Sequence, residues 1–246
     1  MSLGHITRQR VKIAGYFPSP SVDLRPVPEI PISSADEAEE EAGVRGTYYV
    51  AGGLLGQKTD EWQVIGPDAV VDLHARGHEI GCHSHSHTRA DLMSPAAMEA
   101  DIARNHACLR AIEPSLPLKN FAYPYGQTTY SWKRRLDTHF RSSRSIRPRI
   151  NAGPTDAQFL HAVPLVDREI DEGGIDRAFE SVAKSKGWLI FYSHDVDARP
   201  SLYGCTPRLM RHALKAAERF GVRVETVDAA LTRIGARIST LWLMSL

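Results

Sequence analysis

From Thr47 onward, short runs of β-branched and aromatic residues alternate with longer stretches at helical spacing, bounded by turn residues. This pattern predicts repeated strand–helix units. The strands expected from it are Thr47–Val50, His78–Cys82, Asn120–Tyr123, Ala162–Val166, Leu189–Tyr192 and Val222–Glu225, with Val11–Ala14 opening the domain. Between them, Ser94 followed by Pro95 and Thr206 followed by Pro207 are capping residues with proline in the first turn, so each predicts a helix start. The second helix places Leu209, Ala213, Ala217 and Phe220 on one face and has Gly221 just past its end. Helices of this kind pack on a sheet, and sequential strand–helix units require right-handed crossovers and a mostly parallel sheet.

One segment breaks the rhythm. Between Gly15 and Glu41 stand Pro18, Pro20, Pro26, Pro28 and Pro31, and proline at that density predicts an irregular loop over Phe17–Ile32. An acidic, helical-looking stretch, Asp36–Glu41, follows it. The apolar Leu241–Met244 is too short to span a membrane and is expected to dock on the domain.

Composition narrows the class. The 246 residues carry 30 Lys+Arg against 29 Asp+Glu and are 42% hydrophobic, which suits a soluble globular protein. Without Lys/Arg blocks there is no electrostatic reason to expect nucleic acid or an anionic membrane as partner. With no long apolar run and no basic-then-apolar start, the expected location is the cytosol. Cys82, Cys108 and Cys205 are an odd number with no framework spacing, which reads as reduced thiols. With no internal repeat or linker, the chain reads as a single domain over 1–246, of a size typical for a (β/α) barrel.

The chemistry-bearing stretch is Gly77–His87, where a strand pattern ends in His83, His85 and His87. That position is the C-terminal end of a parallel strand, where βα loops build active sites. Imidazole nitrogens suit zinc and related divalent ions, and catalytic sites often use three protein ligands with one position left for water. His83 and His87, four apart across a loop, could reach one ion. The competing reading is a polar surface loop rich in histidine.

Gly77–His87 resembles the second motif of the polysaccharide deacetylases, the NodB-homology domain of carbohydrate esterase family 4. Val44–Val50 is similar to the strand preceding it, Phe121–Gly126 to the third motif, and Leu189–Asp195 to the last, in the family's order over roughly residues 44 to 230. The resemblance implies an α/β fold, a distorted (β/α) barrel of about seven parallel strands. It also implies hydrolysis of an N-acyl group on a sugar or polysaccharide, with a divalent metal ion, zinc, as cofactor and an N-acylated sugar or oligosaccharide as substrate.

Carried over residue by residue, the resemblance assigns His83 and His87 as metal ligands and His194 as the general acid that protonates the leaving amine, a poor leaving group without a proton. Tyr125 occupies the position whose backbone N–H holds the oxyanion, while Tyr123 and Pro124 shape the substrate groove. His85 is read as lying behind the ligands or facing solvent, Asp91 as a weak candidate to orient a ligand, and Cys82 as core. Asp195 either orients His194 or closes its loop. Many relatives carry arginine where this chain has Ala122, and Arg144 could supply a charge to substrate or belong to a solvated basic loop. Trp132, Trp188 and Tyr203 could stack on a sugar, although core packing is the commoner use of such residues.

One departure matters. Family members carry an Asp-Asp pair after the first strand, one a base and the other a ligand, and this chain has none. Asp23 is the only carboxylate near the position and is the expected third metal ligand; Val22 beside it cannot accept a proton. A deacetylase-like domain that binds metal or carbohydrate without turnover is therefore the alternative function.

Overall fold

The computed structural model describes residues 10–16, 38–39, 42–58 and 63–242, giving the backbone course alone for 10–16 and 235–242. Asp23, the Phe17–Ile32 loop and the end of Leu241–Met244 lie outside the described residues, as does most of the acidic stretch, of which 38–39 are helical.

Among the described residues eight strands form one sheet with every strand pairing parallel. They are β1 (Arg10–Tyr16), β2 (Thr47–Val50), β3 (Glu79–Cys82), β4 (Asn120–Ala122), β5 (Ser142–Arg144), β6 (Val163–Pro164), β7 (Trp188–Ser193) and β8 (Arg223–Val224). The order is β5-β4-β3-β2-β1-β7-β6, with β8 paired to β1. The helices are α1 (Pro67–Ala75), α2 (Pro95–Ile112), α3 (Tyr130–Leu136), α4 (Glu172–Ser185), α5 (Pro207–Arg219) and α6 (Val227–Trp242). The α/β class and parallel strands match expectation, and the described residues form eight strands where about seven were expected. Among the described residues no ladder joins β5 to β6; the edges approach through a bridge between Arg144 and Leu160, just before β6.

Alternation along the strands sorts the core into two faces. Tyr48, Val50 and Ile80 pack with Leu73 of α1 and Leu109 of α2. Leu189 and Phe191 meet Phe179 of α4 and Leu209 and Ala213 of α5. The opposite face gathers Tyr49, Ala122, Trp188, Ile190 and Tyr192 with Val227 and Ala230 of α6. The predicted caps form: Ser94 accepts from Ala97 N–H, Thr206 accepts from Leu209 N–H, and Gly221 takes the left-handed φ of +63°.

One strand was not anticipated. Ser142–Arg144 is polar and has no β-branched residue, yet all three positions are buried between β4 and the Leu160 segment.

The start of α6 is tied to the strands by side chains. Glu79 Oε2 accepts from the Asp228 N–H at 2.8 Å and from Thr47 Oγ1 at 3.0 Å, and its Oε1 accepts from Asn120 Nδ2 at 2.6 Å. Thr47 Oγ1 in turn accepts from Val227 N–H at 2.8 Å. A carboxylate at a helix N-terminus satisfies orphan donors and complements the helix dipole. Replacing Glu79 with alanine strands the Asn120 amide and the Asp228 N–H, so it should lower unfolding free energy by about 1–3 kcal/mol in urea denaturation. An unchanged midpoint would contradict this account of how α6 is held.

Candidate active site

The site begins where β3 runs out. The His83 N–H continues the ladder to Val50 O at 3.1 Å, and alternation turns the fully buried imidazole away from Cys82, which is also fully buried. His83 Nδ1 lies 2.7 Å from Ala122 O, the last residue of β4. A carbonyl only accepts, so Nδ1 carries the proton and Nε2 carries the lone pair. The rings of His83 and His87 meet edge to face with centroids 4.8 Å apart. On its other side His87 lies against Tyr125, centroids 4.9 Å apart.

Tyr125 sits in the 3-10 turn Pro124–Gly126 with φ 58°, followed by Gly126 at φ +65°; a Cβ on Gly126 would come within 2.3 Å of Ile146, so this turn needs glycine there. Pro124 is buried at the start of the turn. Tyr123 corrects the expectation of a groove residue. It is 1% exposed, packs with Phe121 and Trp132, and donates its hydroxyl to Gln158 O at 2.8 Å, because alternation sends it to the helix-covered face. Trp132 and Trp188 are likewise core.

His194 follows β7. Both its backbone N–H (3.2 Å) and its Nδ1 (3.1 Å) reach the carbonyl of Tyr203. Tyr203 therefore orients the ring through its backbone, a role its aromatic side chain could not have signalled in the sequence. Asp195 closes the loop instead, accepting from Ser201 Oγ at 2.6 Å and Ser201 N at 2.9 Å. Asp91 pairs with Arg89, not with a ligand histidine. His85 neither joins the pair nor stands free in solvent: it is half-buried, with its ring against Gly53.

Arg144 is 1% exposed, so it is no solvated loop residue. It is the Cα partner of Ala122 across β4 and β5, and its guanidinium carbon lies 5.2 Å from the Tyr49 ring centroid and 5.3 Å from that of Tyr192. Cation–π contact on two rings suits a buried cation. Its field reaches His83 and His194.

Burial governs the protonation of all three imidazoles. His83 is held well below the usual range by desolvation and then by His87, against the pull of the Ala122 hydrogen bond. Desolvation pushes His87 down to about 4. His194 is pushed down to about 3, foremost by desolvation, against the opposing pull of the hydrogen bond to Tyr203 and with smaller contributions from Arg144 and His87. The three are neutral at pH 7, the form in which imidazole binds a metal or accepts a proton. Among the described residues no three His, Cys, Asp or Glu side chains cluster closely enough to hold an ion, so His83 and His87 offer two donors there. Two buried, neutral imidazoles, one with its tautomer fixed, fit a divalent ion of the zinc or cobalt kind.

A family model described as polysaccharide deacetylase matches residues 37–139, a span that includes His83, His87 and Tyr125. Residues 37–139 are therefore similar to the polysaccharide deacetylase family. A family 4 carbohydrate esterase from Streptomyces lividans, solved with acetate, superposes with a TM-score of 0.59 at 16% identity, covering 89% of this chain and 92% of that one. A peptidoglycan deacetylase from Bacillus subtilis gives 0.58 at 14% identity, covering 96% of each. A family 4 acetyl xylan esterase from Clostridium thermocellum, in complex with a cobalt ion, gives 0.59 at 18%, covering 91% of this chain and 92% of that one. At these identities the likeness establishes a shared fold. No curated protein matches the sequence of this chain.

The depressed imidazoles fix a pH dependence. In metal-free protein, His87 binds a proton near pH 6.5 when unfolded but only near pH 4 when folded. The unfolded state then holds more protons in that window, so stability is complete above about pH 6.5 and falls on acidification toward about pH 4. Urea midpoints of wild type should therefore drop more steeply than those of His87→Gln between about pH 7 and 4.5. Parallel curves would contradict the neutral, buried assignment of His87.

Proposed function

We propose that this domain is a metal-dependent N-deacetylase acting on an N-acylated sugar or oligosaccharide. The observation that carries the reading is the convergence of His83, His87 and Tyr125, with His194 coupled electrostatically to both histidines, under a matching family model. His83 through Nε2, together with His87, would hold the ion, and Asp23 is the proposed third ligand. Zinc is the proposed metal. A divalent ion there supplies Lewis acidity, drawing electron density from an acyl carbonyl and acidifying water. We further propose that the sheet rolls into a distorted barrel with these residues at its mouth.

The Tyr125 N–H, preset by its turn, donates to the developing oxyanion, and a donor fixed in advance needs no reorganisation as charge grows. His194 carries the proton. With Nδ1 donated to Tyr203, the exchanging nitrogen is Nε2, and because the ring is neutral at rest it must gain a proton before it can give one. It therefore accepts the proton of the attacking water and then delivers it to the amine nitrogen as the carbon–nitrogen bond breaks. One imidazole then covers both steps in a site without the adjacent carboxylates of the resemblance. Arg144 holds its positive field near the reacting groups without leaving the core.

A specific observation favours a second reading, binding without turnover. β1 reads Arg10–Tyr16 and ends in Gly15-Tyr16, so the strand that should present an Asp-Asp pair carries no carboxylate. Acetate release from an N-acetylglucosamine oligomer, with zinc or cobalt supplied, separates the two. The deacetylase reading expects release that is abolished by a chelator and reduced about 10²- to 10⁴-fold in His194→Ala. Stoichiometric metal binding with no acetate from wild type would instead establish the second reading.

A further inference from the structure

We propose that Asp101 is the positioning residue of the metal pair, a buried carboxylate on α2 that holds the loop from Ser84 to His87 in the conformation that brings the two imidazoles together. The proposal rests on the metal-site reading above.

The loop needs such a hold. Only three residues separate His83 from His87, and the chain turns sharply by placing Ser84 at φ 59° and His87 at φ 54°. Residues with a Cβ resist this left-handed region, so the conformation persists only where surrounding bonds over-determine it. One such bond is internal: the His87 N–H donates to Ser84 Oγ at 3.1 Å. The others come from outside the loop. Asp101 Oδ2 accepts from the His85 N–H at 2.8 Å and the Ser86 N–H at 3.0 Å, while Gly53 N–H donates to His85 O at 3.1 Å. A Cβ on Gly53 would lie 2.6 Å from that carbonyl, so the approach is open only to glycine.

The anchor behind Asp101 is rigid. Its side chain is fully buried on an eighteen-residue helix, and one turn later Asn105 ties that helix to the sheet, accepting from Gly52 N–H at 2.6 Å and donating to Val50 O at 3.0 Å and Cys82 Sγ at 3.2 Å. A displacement of the loop therefore works against the helix and two strands together.

The position calls for a carboxylate. One oxygen takes two converging N–H groups while the other takes Arg104 Nη2 at 2.6 Å, so donors face the group from both sides. Only an acceptor-only group satisfies both, and charge strengthens each bond. An asparagine could keep its carbonyl on the loop but would turn its NH2 toward Arg104.

The test uses the full chain freed of metal by a chelator, with cobalt(II) as probe. Amide hydrogen exchange reports the loop in the metal-free protein, and cobalt titration reports the pair. Asp101→Ala should expose the His85 and Ser86 amides to exchange and weaken cobalt binding about 10- to 100-fold, the usual cost of losing a group that orients a ligand. Asp101→Asn should lose less on both readouts, and it keeps the test alive if the alanine variant does not fold. Arg104→Ala, which leaves the loop bonds intact, and Met98→Ala, which loosens the same helix without touching the loop, should both retain wild-type affinity. Wild-type protection and affinity in Asp101→Ala, or an equal loss in Met98→Ala, would overturn the proposal. If wild type takes up no cobalt, the metal reading fails, and the exchange of His85 and Ser86 still decides whether Asp101 holds the loop.

Discussion

The hydrogen bond from His83 Nδ1 to the carbonyl of Ala122 is the constraint on which the candidate site depends. It crosses from the end of β3 to the end of β4, so the position of the imidazole is set by two strands of a parallel sheet. It also fixes the tautomer, since a carbonyl can only accept. Burial then keeps the ring neutral, with the lone pair on Nε2. His194 repeats the device, with Nδ1 on the Tyr203 carbonyl. Two histidines from distant parts of the chain are thus oriented by backbone oxygens, groups that substitution of side chains cannot remove.

The same parallel sheet explains where charge is placed. Ala122 stands where the sequence resemblance expects an arginine, and the cation stands on the neighbouring strand as the Cα partner of that alanine. Between the faces of Tyr49 and Tyr192 the guanidinium is stabilised by the rings while its field disfavours protonation of His83 and His194. At the other end of the strands, Glu79 binds Thr47 and Asn120, and Glu79 and Thr47 accept from the first turn of α6, so these polar groups are satisfied by one another.

What the sequence disclosed followed physical contrast. Thr47–Val50 and Leu189–Tyr192 are apolar, β-branched or aromatic, and their strands were plain. Ser94 and Thr206 announced their helices through the caps they form. Ser142–Arg144 has none of those marks; it is a strand only because Ala122 and Leu160 lie on either side, and so the burial of Arg144 was hidden. Tyr123 was misplaced because a motif gives proximity in sequence, whereas strand alternation decides the face. Asp101 left a signal that periodicity could have caught: with Asn105 it interrupts the stripe Met98, Ile102 and Leu109 on the buried side of α2, and a polar residue on such a face needs a partner. Tyr203 acts through its carbonyl, which every residue possesses, so no pattern could have pointed to it.

The most direct measurement of the central claim is nitrogen-detected NMR of the histidine rings in metal-free protein near neutral pH, followed by zinc titration. The account predicts a neutral His83 with the proton on Nδ1, and a shift of its Nε2 that saturates at one zinc per chain. A protonated imidazolium, a proton on Nε2, or a ring that zinc leaves unchanged would contradict it.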